Sequence, residues 1–216
     1  MSWFRAHRAA APASAPPEDA AEPEVHPSLA LTALLAELRP DRPLRLLDLG
    51  PAVGANIAFW SERLPCSVQV ADLHRSLAEV HPGTDPEPAV RAALPEVRPG
   101  EPPLDLVLAW GLLDYLDRPR IRALAAALAP RCRPGARWFA MVRIGKEIPR
   151  EPGSYLIRPD GSLVYRLDSA HTRPGPRHRP SEIEAATPGF TTDRNFLLRH
   201  GVQEYLLVRD EPDQAA

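Results

Sequence analysis

Two hydrophobic rhythms alternate along the chain from residue 28 onward. Leu31, Leu34, Leu35 and Leu38 recur at i, i+3, i+4 and i+7, the spacing of one helix face, and Arg39-Pro40 closes that segment. Residues 44–49 (LRLLDL) form a short apolar run, followed by a Gly/Pro turn and by 55–64, where Ile57, Trp60 and Leu64 return to helical spacing. Residues 67–71 (SVQVA) end at Asp72 and lead into 73–80, with Leu73, Leu77 and Val80 on one face. Strand, helix, strand, helix in that order predicts a parallel sheet covered by helices.

The rhythm breaks over 82–103, where seven prolines in 22 residues leave room only for a short helix around 89–93. It resumes at 104–109 (LDLVLA), a run apolar on both faces, as a buried parallel strand is. A helix over 118–131 follows, with Ile121, Leu124, Ala125 and Leu128 on one side. Pro134-Gly135 then turns into a strand over 137–144 (RWFAMVRI). In the C-terminal third, 155–157 and 163–165 flank Arg158-Pro159-Asp160-Gly161-Ser162, and Asp-Gly is a strong turn signal, so a hairpin insertion is predicted. Residues 170–180 read as a proline-rich loop, 181–186 as a short helix, and 191–198 with 202–208 as two strands around Arg199-His200-Gly201.

Composition narrows the function. With 26 Lys+Arg against 28 Asp+Glu the net charge is −2, which excludes a broad electrostatic grip on nucleic acid. No apolar run approaches the ~18 residues of a membrane span. Residues 1–27 lack a continuous apolar signal core, and their Ala/Pro/Glu content reads as a disordered tail. One domain over 28–210 is expected, with irregular segments at 82–103 and 146–180 and a second tail at 211–216. Cys66 and Cys132 lie far apart and form no CxxC pair, so neither a zinc site nor a disulfide framework is indicated, and a cytoplasmic location is the expectation. His171 and His178 have no third ligand nearby and indicate no metal.

The chemistry concentrates in 44–56, LRLLDLGPAVGAN, where an acid ends a strand and two glycines four apart open a helix. Gly50 admits a positive φ and Gly54 lets the helix start close to the sheet, so a ligand can approach the backbone. Asp72, at the end of the next strand, is placed to accept hydrogen bonds from a ribose diol. A dinucleotide fingerprint needs glycine at position 52, where Ala52 stands, and GxxxxGK(S/T) is absent. A nucleoside cofactor without a diphosphate follows. The plain alternative for Asp48 and Asp72 is two acids capping helices, and for Trp110 a core aromatic at a strand end.

Asp48-Leu49-Gly50-Pro51-Ala52-Val53-Gly54 resembles the first motif of the class I S-adenosylmethionine-dependent methyltransferases. Residues 104–116 (LDLVLAWGLLDYL) are similar to that family's fourth-strand motif, and Arg133-Pro134-Gly135-Ala136 to its turn before the fifth strand. The resemblance implies a three-layer α/β sandwich with a mostly parallel seven-stranded sheet ending in an antiparallel hairpin. It implies S-adenosylmethionine as cofactor, held by Asp48, Gly50, Pro51, Gly54, Asn56, Asp72, Leu73, Trp110 and Gly111, and a small-molecule acceptor facing Asp114 and Tyr115. Asp85 is the acid offered for the adenine ring. Methyl transfer from a sulfonium needs mostly positioning, and a base only where the acceptor must lose a proton. Asp114, Tyr115, His171, His178 and His200 are the groups that can serve. The alternative is a non-catalytic protein of the same fold that binds a partner, and a nucleotide-dependent oxidoreductase stands third.

Overall fold

The computed structural model describes residues 24–38, 40–78, 84–167, 170–199 and 201–211. In chain order these form β1 (Glu24–Pro27), α1 (Leu29–Glu37), β2 (Leu44–Asp48), α2 (Gly54–Arg63), β3 (Cys66–Val70), α3 (Leu73–Ala78), α4 (Pro86–Ala93), β4 (Leu104–Leu108), α5 (Arg118–Leu128) and β5 (Cys132–Arg143). Then come β6 (Glu147–Pro149), β7 (Ser154–Ile157), β8 (Ser162–Arg166), β9 (Thr172–Pro174), α6 (Pro180–Ala186), β10 (Phe190–Leu197) and β11 (Val202–Arg209). A 3-10 turn, Leu112–Tyr115, joins β4 to α5.

The centre is a mixed sheet of six strands in the order β10-β11-β5-β4-β2-β3. β3, β2, β4 and β5 pair in parallel, while β11 runs antiparallel to both β5 and β10. The chain passes from β2 outward to β3 and then returns to the other side of β2 with β4. That reversal opens a crevice beyond the C-terminal ends of β2 and β4, the place where open α/β sheets bind ligands.

Alternation along the strands divides the core between the two faces of the sheet. Leu47, Val107, Trp138 and Leu207 face α3, α4, α5 and α6, where Leu77, Val90, Leu124 and Ile183 meet them. Leu46, Leu106, Phe139 and Leu206 face α1 and α2 through Leu31, Leu34 and Trp60. Over that second face lies a three-stranded sheet, β1-β8-β7, which contributes Tyr155, Ile157, Leu163 and Tyr165. At the N-terminal ends of the strands, the buried carboxylate of Asp105 accepts a bidentate pair from Arg42 (2.5 and 3.2 Å), the backbone N–H of Arg45 (2.8 Å) and Arg133 Nε (2.6 Å). Opposite charge there ties β2, β4 and β5 together.

Several expectations are corrected. The central sheet has six strands among the described residues, not seven, because the proline-rich stretch before β4 forms α4 and an extended link and supplies no third parallel strand. α4 is longer than the short helix expected: Asp85 accepts the N–H of Glu87 (3.1 Å) as its N-cap and Pro86 takes the first helical position, where a missing N–H costs nothing. Asp85 is thus the N-cap of α4. The boundary at residue 28 moves outward, since Glu24–Pro27 pair with β8. Residues 170–180 are not all loop, because Thr172–Pro174 pair with β6. β5 starts five residues earlier than the expected strand at 137, running through Pro134-Gly135 as a bulge with Gly135 at φ 74°.

The β1 pairing gives a direct test. A chain beginning at Ser28 loses the strand that covers β8 together with the buried His26, and its melting temperature falls by roughly 5 °C or more below that of a chain beginning at Glu24. Equal melting temperatures in a thermal scan would show that β1 adds nothing to the fold.

Candidate functional site

β2 delivers Asp48 to the crevice with its carboxylate on the α1/α2 side of the sheet. Asp48 Oδ1 accepts the backbone N–H of Gly50 (2.9 Å) and the indole N–H of Trp110 (2.7 Å). Trp110 follows β4 and adopts φ 46°, a left-handed backbone that costs a bulky residue strain. Its ring lies directly over Gly50: a Cβ added there would sit 2.7 Å from Trp110 Cδ1. Glycine at position 50 is thus required by the indole. Tyr155 of β7 stacks on the indole (centroids 5.7 Å apart, planes at 10°), Phe139 meets it edge-on, and Tyr165 packs against Tyr155 (4.6 Å).

Asp48 is 4 % exposed and Trp110 3 %. Burial therefore pushes the Asp48 carboxyl up to about 6, with the Gly50 and Trp110 hydrogen bonds pulling the other way. Asn56, in the first turn of α2, is committed as fully. Its Nδ2 donates to the Tyr155 carbonyl (2.7 Å) and its Oδ1 accepts the Ile157 N–H (2.8 Å), so the side-chain amide pairs with β7 as a neighbouring strand would. Asn56, expected as a cofactor residue, holds β7 against α2.

Asp72 lies two residues past β3 and is partly buried. The hydrogen bond from Leu73 N to Leu49 O (3.0 Å) sets it beside the Asp48–Gly54 turn, as the sequence predicts. Pro51 is half-buried, Gly54 is exposed, and Leu73 is buried under the turn. Gly111 is buried against Tyr155, whose hydroxyl would be 3.4 Å from an added Cβ. Asp114, 4 % exposed, accepts the Arg143 N–H (2.8 Å), and burial raises it to about 7 against the pull of Arg143. It lines a cavity of roughly 10 Å³ with Gly111, Arg143, Tyr155 and Tyr165, about the space of one water.

Tyr115, expected as a catalytic group, is partly buried. Its hydroxyl donates to the Pro149 carbonyl (3.0 Å), which ties the turn after β4 to β6, and burial raises its pKa. His178 is buried with Nε2 at 3.1 and 2.9 Å from the Leu113 and Leu116 carbonyls, which makes it a structural donor. His171 is exposed, and His200 lies outside the described residues. His74, passed over in the sequence, stands edge-on to Tyr115 (5.3 Å). Burial lowers it to about 4, partly offset by Asp72, so its ring is neutral at pH 7. Tyr155 and Arg143 were also missed. The inward alternation Tyr155/Ile157 and Leu163/Tyr165 was the available signal for the first.

The cofactor implied by the resemblance meets two different environments. Its ribose side fits, because Asp72 stands partly exposed next to the turn. Its methionine side meets Trp110, whose ring lies over Gly50 and donates to Asp48 Oδ1. Among the described residues no three His, Cys, Asp or Glu side chains converge as a metal site, and no helix is long and apolar enough to cross a membrane.

The raised Asp48 pKa fixes a pH dependence. The folded state favours the protonated carboxyl, so its contribution is full below about pH 4 and is lost as the pH rises through about 6. Asp48→Asn keeps an oxygen for both donors and removes the buried charge. The variant should be more stable than the parent at about pH 8, by on the order of 1 to 3 kcal/mol, and equal to it near pH 4. Urea titrations of both proteins at the two pH values measure this, and comparing them cancels the opposite contribution of His74. Asn56→Ala should lower stability by about 2 kcal/mol and speed amide exchange at Tyr155 and Ile157. Unchanged exchange there would remove the clamp.

No protein-family profile matches the chain, and no curated protein does. Solved structures do. The glycopeptide N-methyltransferase MtfA with S-adenosyl-L-methionine is 15 % identical, with 83 % of this chain and 92 % of that one covered and a TM-score of 0.45. DesVI from Streptomyces venezuelae is 14 % identical over 83 % and 90 % (TM-score 0.46), and the N-methyltransferase NodS from Bradyrhizobium japonicum WM9 is 15 % identical over 78 % and 86 % (0.45). At those values function has to be read from this chain's own residues.

Proposed function

We propose that the chain binds S-adenosylmethionine in the crevice between β2 and β4 and transfers its methyl group to a small-molecule acceptor. The observation that carries this reading is the Asp48–Gly54 turn at the point where strand order reverses, with Asp72 on the adjoining strand end hydrogen-bonded into place through Leu73 and Leu49. When bound, the cofactor supplies an activated methyl on sulfur. Asp72 holds the ribose hydroxyls, the backbone of Gly50 to Gly54 lies against the methionine part, and Gly111 and Leu73 wall the site. Asp114, buried beside a cavity of about one water, has its carboxyl raised to about 7, near the value at which a base works best.

A second reading rests on its own observation. Asp48, Trp110, Tyr155 and Asn56 already satisfy one another, with every polar atom of Asn56's amide engaged by β7. A protein that keeps the fold and uses it as a binding module would look the same.

Calorimetric titration of the full chain with S-adenosylmethionine separates the two. The methyl-transfer reading expects binding, weakened about ten-fold or more by Asp72→Ala as the ribose loses its acceptor, and tightened by Trp110→Ala as the indole's place is vacated. Absence of binding at millimolar cofactor in both the parent and Trp110→Ala overturns it in favour of the second.

A further inference from the structure

We infer that the cleft between α3, the Leu112–Tyr115 turn and the β6–β9 arm is a binding site for a small organic anion, one carrying a carboxylate or phosphate on an apolar body. The cleft measures roughly 480 Å³, within the range of small-molecule sites. Its floor is apolar, made by Leu77, Leu112 and Leu116, and Arg120, Arg150 and Arg173 stand around it. Glu151 is the one carboxylate in its lining among the described residues. Asp117, just outside, engages Arg120 (2.5 Å), which accounts for that cation. Arg150 and Arg173 make no ion pair with a carboxylate among the described residues.

Both of these arginines are held by the arm. Arg150 follows β6 and its backbone N–H donates to the His171 carbonyl (2.8 Å), while Arg173 lies opposite Ile148 in the β6–β9 pair. The Arg173 guanidinium sits over the Tyr115 ring (5.3 Å), and the Tyr115 hydroxyl is anchored to Pro149. His74 lines the same cleft as a neutral ring and adds no charge. Two guanidinium groups above an apolar floor favour a ligand with a planar or tetrahedral oxyanion at one end, which a guanidinium fork binds through paired hydrogen bonds. Arg173 shares the proline-rich stretch 170–180 with Arg177 and Arg179. Of the three it is the one that lines this cleft.

As an acceptor site the cleft rests on the methyl-transfer reading, whereas as an anion site it does not. The test is therefore run without S-adenosylmethionine, so that the failure of one is seen apart from the other. Phenyl phosphate, benzoate, inorganic phosphate and benzyl alcohol are titrated into the full chain and followed by calorimetry or by amide shifts in NMR. The expected result is binding of phenyl phosphate or benzoate, with the stronger of the two identifying the oxyanion, and weaker binding of inorganic phosphate and of benzyl alcohol. In the double variant Arg150→Gln, Arg173→Gln the affinity falls about ten-fold or more, while the exposed Arg98→Gln leaves it unchanged. Arg150 and Arg173 are exposed, so the double variant keeps the parent's melting temperature, which is checked first. Absence of binding by both aromatic anions, equal binding of benzyl alcohol or of inorganic phosphate, or equal loss in Arg98→Gln each overturns the inference.

Discussion

The hydrogen bond from the Trp110 indole to the buried carboxyl of Asp48 organises the C-terminal end of the sheet. A carboxyl removed from water needs donors, and here the Gly50 N–H and the indole supply them. Meeting that need swings a large ring over the turn, which in turn fixes glycine at position 50. The outer face of the same ring becomes the platform for Tyr155, so β7 is drawn across the crevice, and Asn56 then closes the exposed edge of β7. The buried acid, the indole and Tyr155 thus link β2, β4 and β7 at this end of the sheet.

The two ends of the sheet treat buried acids in opposite ways. Asp105 is met by Arg42 and Arg133, whose heads reach solvent, so opposite charges face each other at the rim of the fold. Asp48 is met by neutral donors among aromatic rings, and its ionised form is disfavoured. The first arrangement serves assembly of the strands. The second leaves a group whose protonation changes near neutral pH at the place where the sheet offers a ligand its approach.

Much of this was legible in the sequence, and the parts that were not share a cause. Hydrophobic pattern placed α1, β2, α2, β3, β4 and α5, because the helices bury one regular face each and β2 and β4 are short apolar runs buried on both. The Asp-Gly turn between β7 and β8 and the strands β10 and β11 were readable for the same reason. Asp48 and Asp72 were placed correctly beside the turn, since that follows from strand ends. What escaped was long-range pairing. Nothing in Glu24–Pro27 announces a partner at 162–165, and the helical pattern of α2 does not reveal that Asn56 reaches β7, about a hundred positions away. The start of α4 was written in Asp85-Pro86, a cap followed by proline, and was obscured by the proline count around it. Trp110 could be seen at a strand end, but its role depends on a left-handed backbone that local preference disfavours.

That backbone has a mechanical meaning. At φ 46° the chain at Trp110 is held in a conformation that a residue with a bulky side chain leaves spontaneously, at a cost on the order of 1 to 3 kcal/mol. The indole's hydrogen bond and its stacking on Tyr155 oppose this release, so the ring is a latch under tension. The Asp48 contact and the stacking thus offset, at one residue, a backbone cost that β4 itself does not carry.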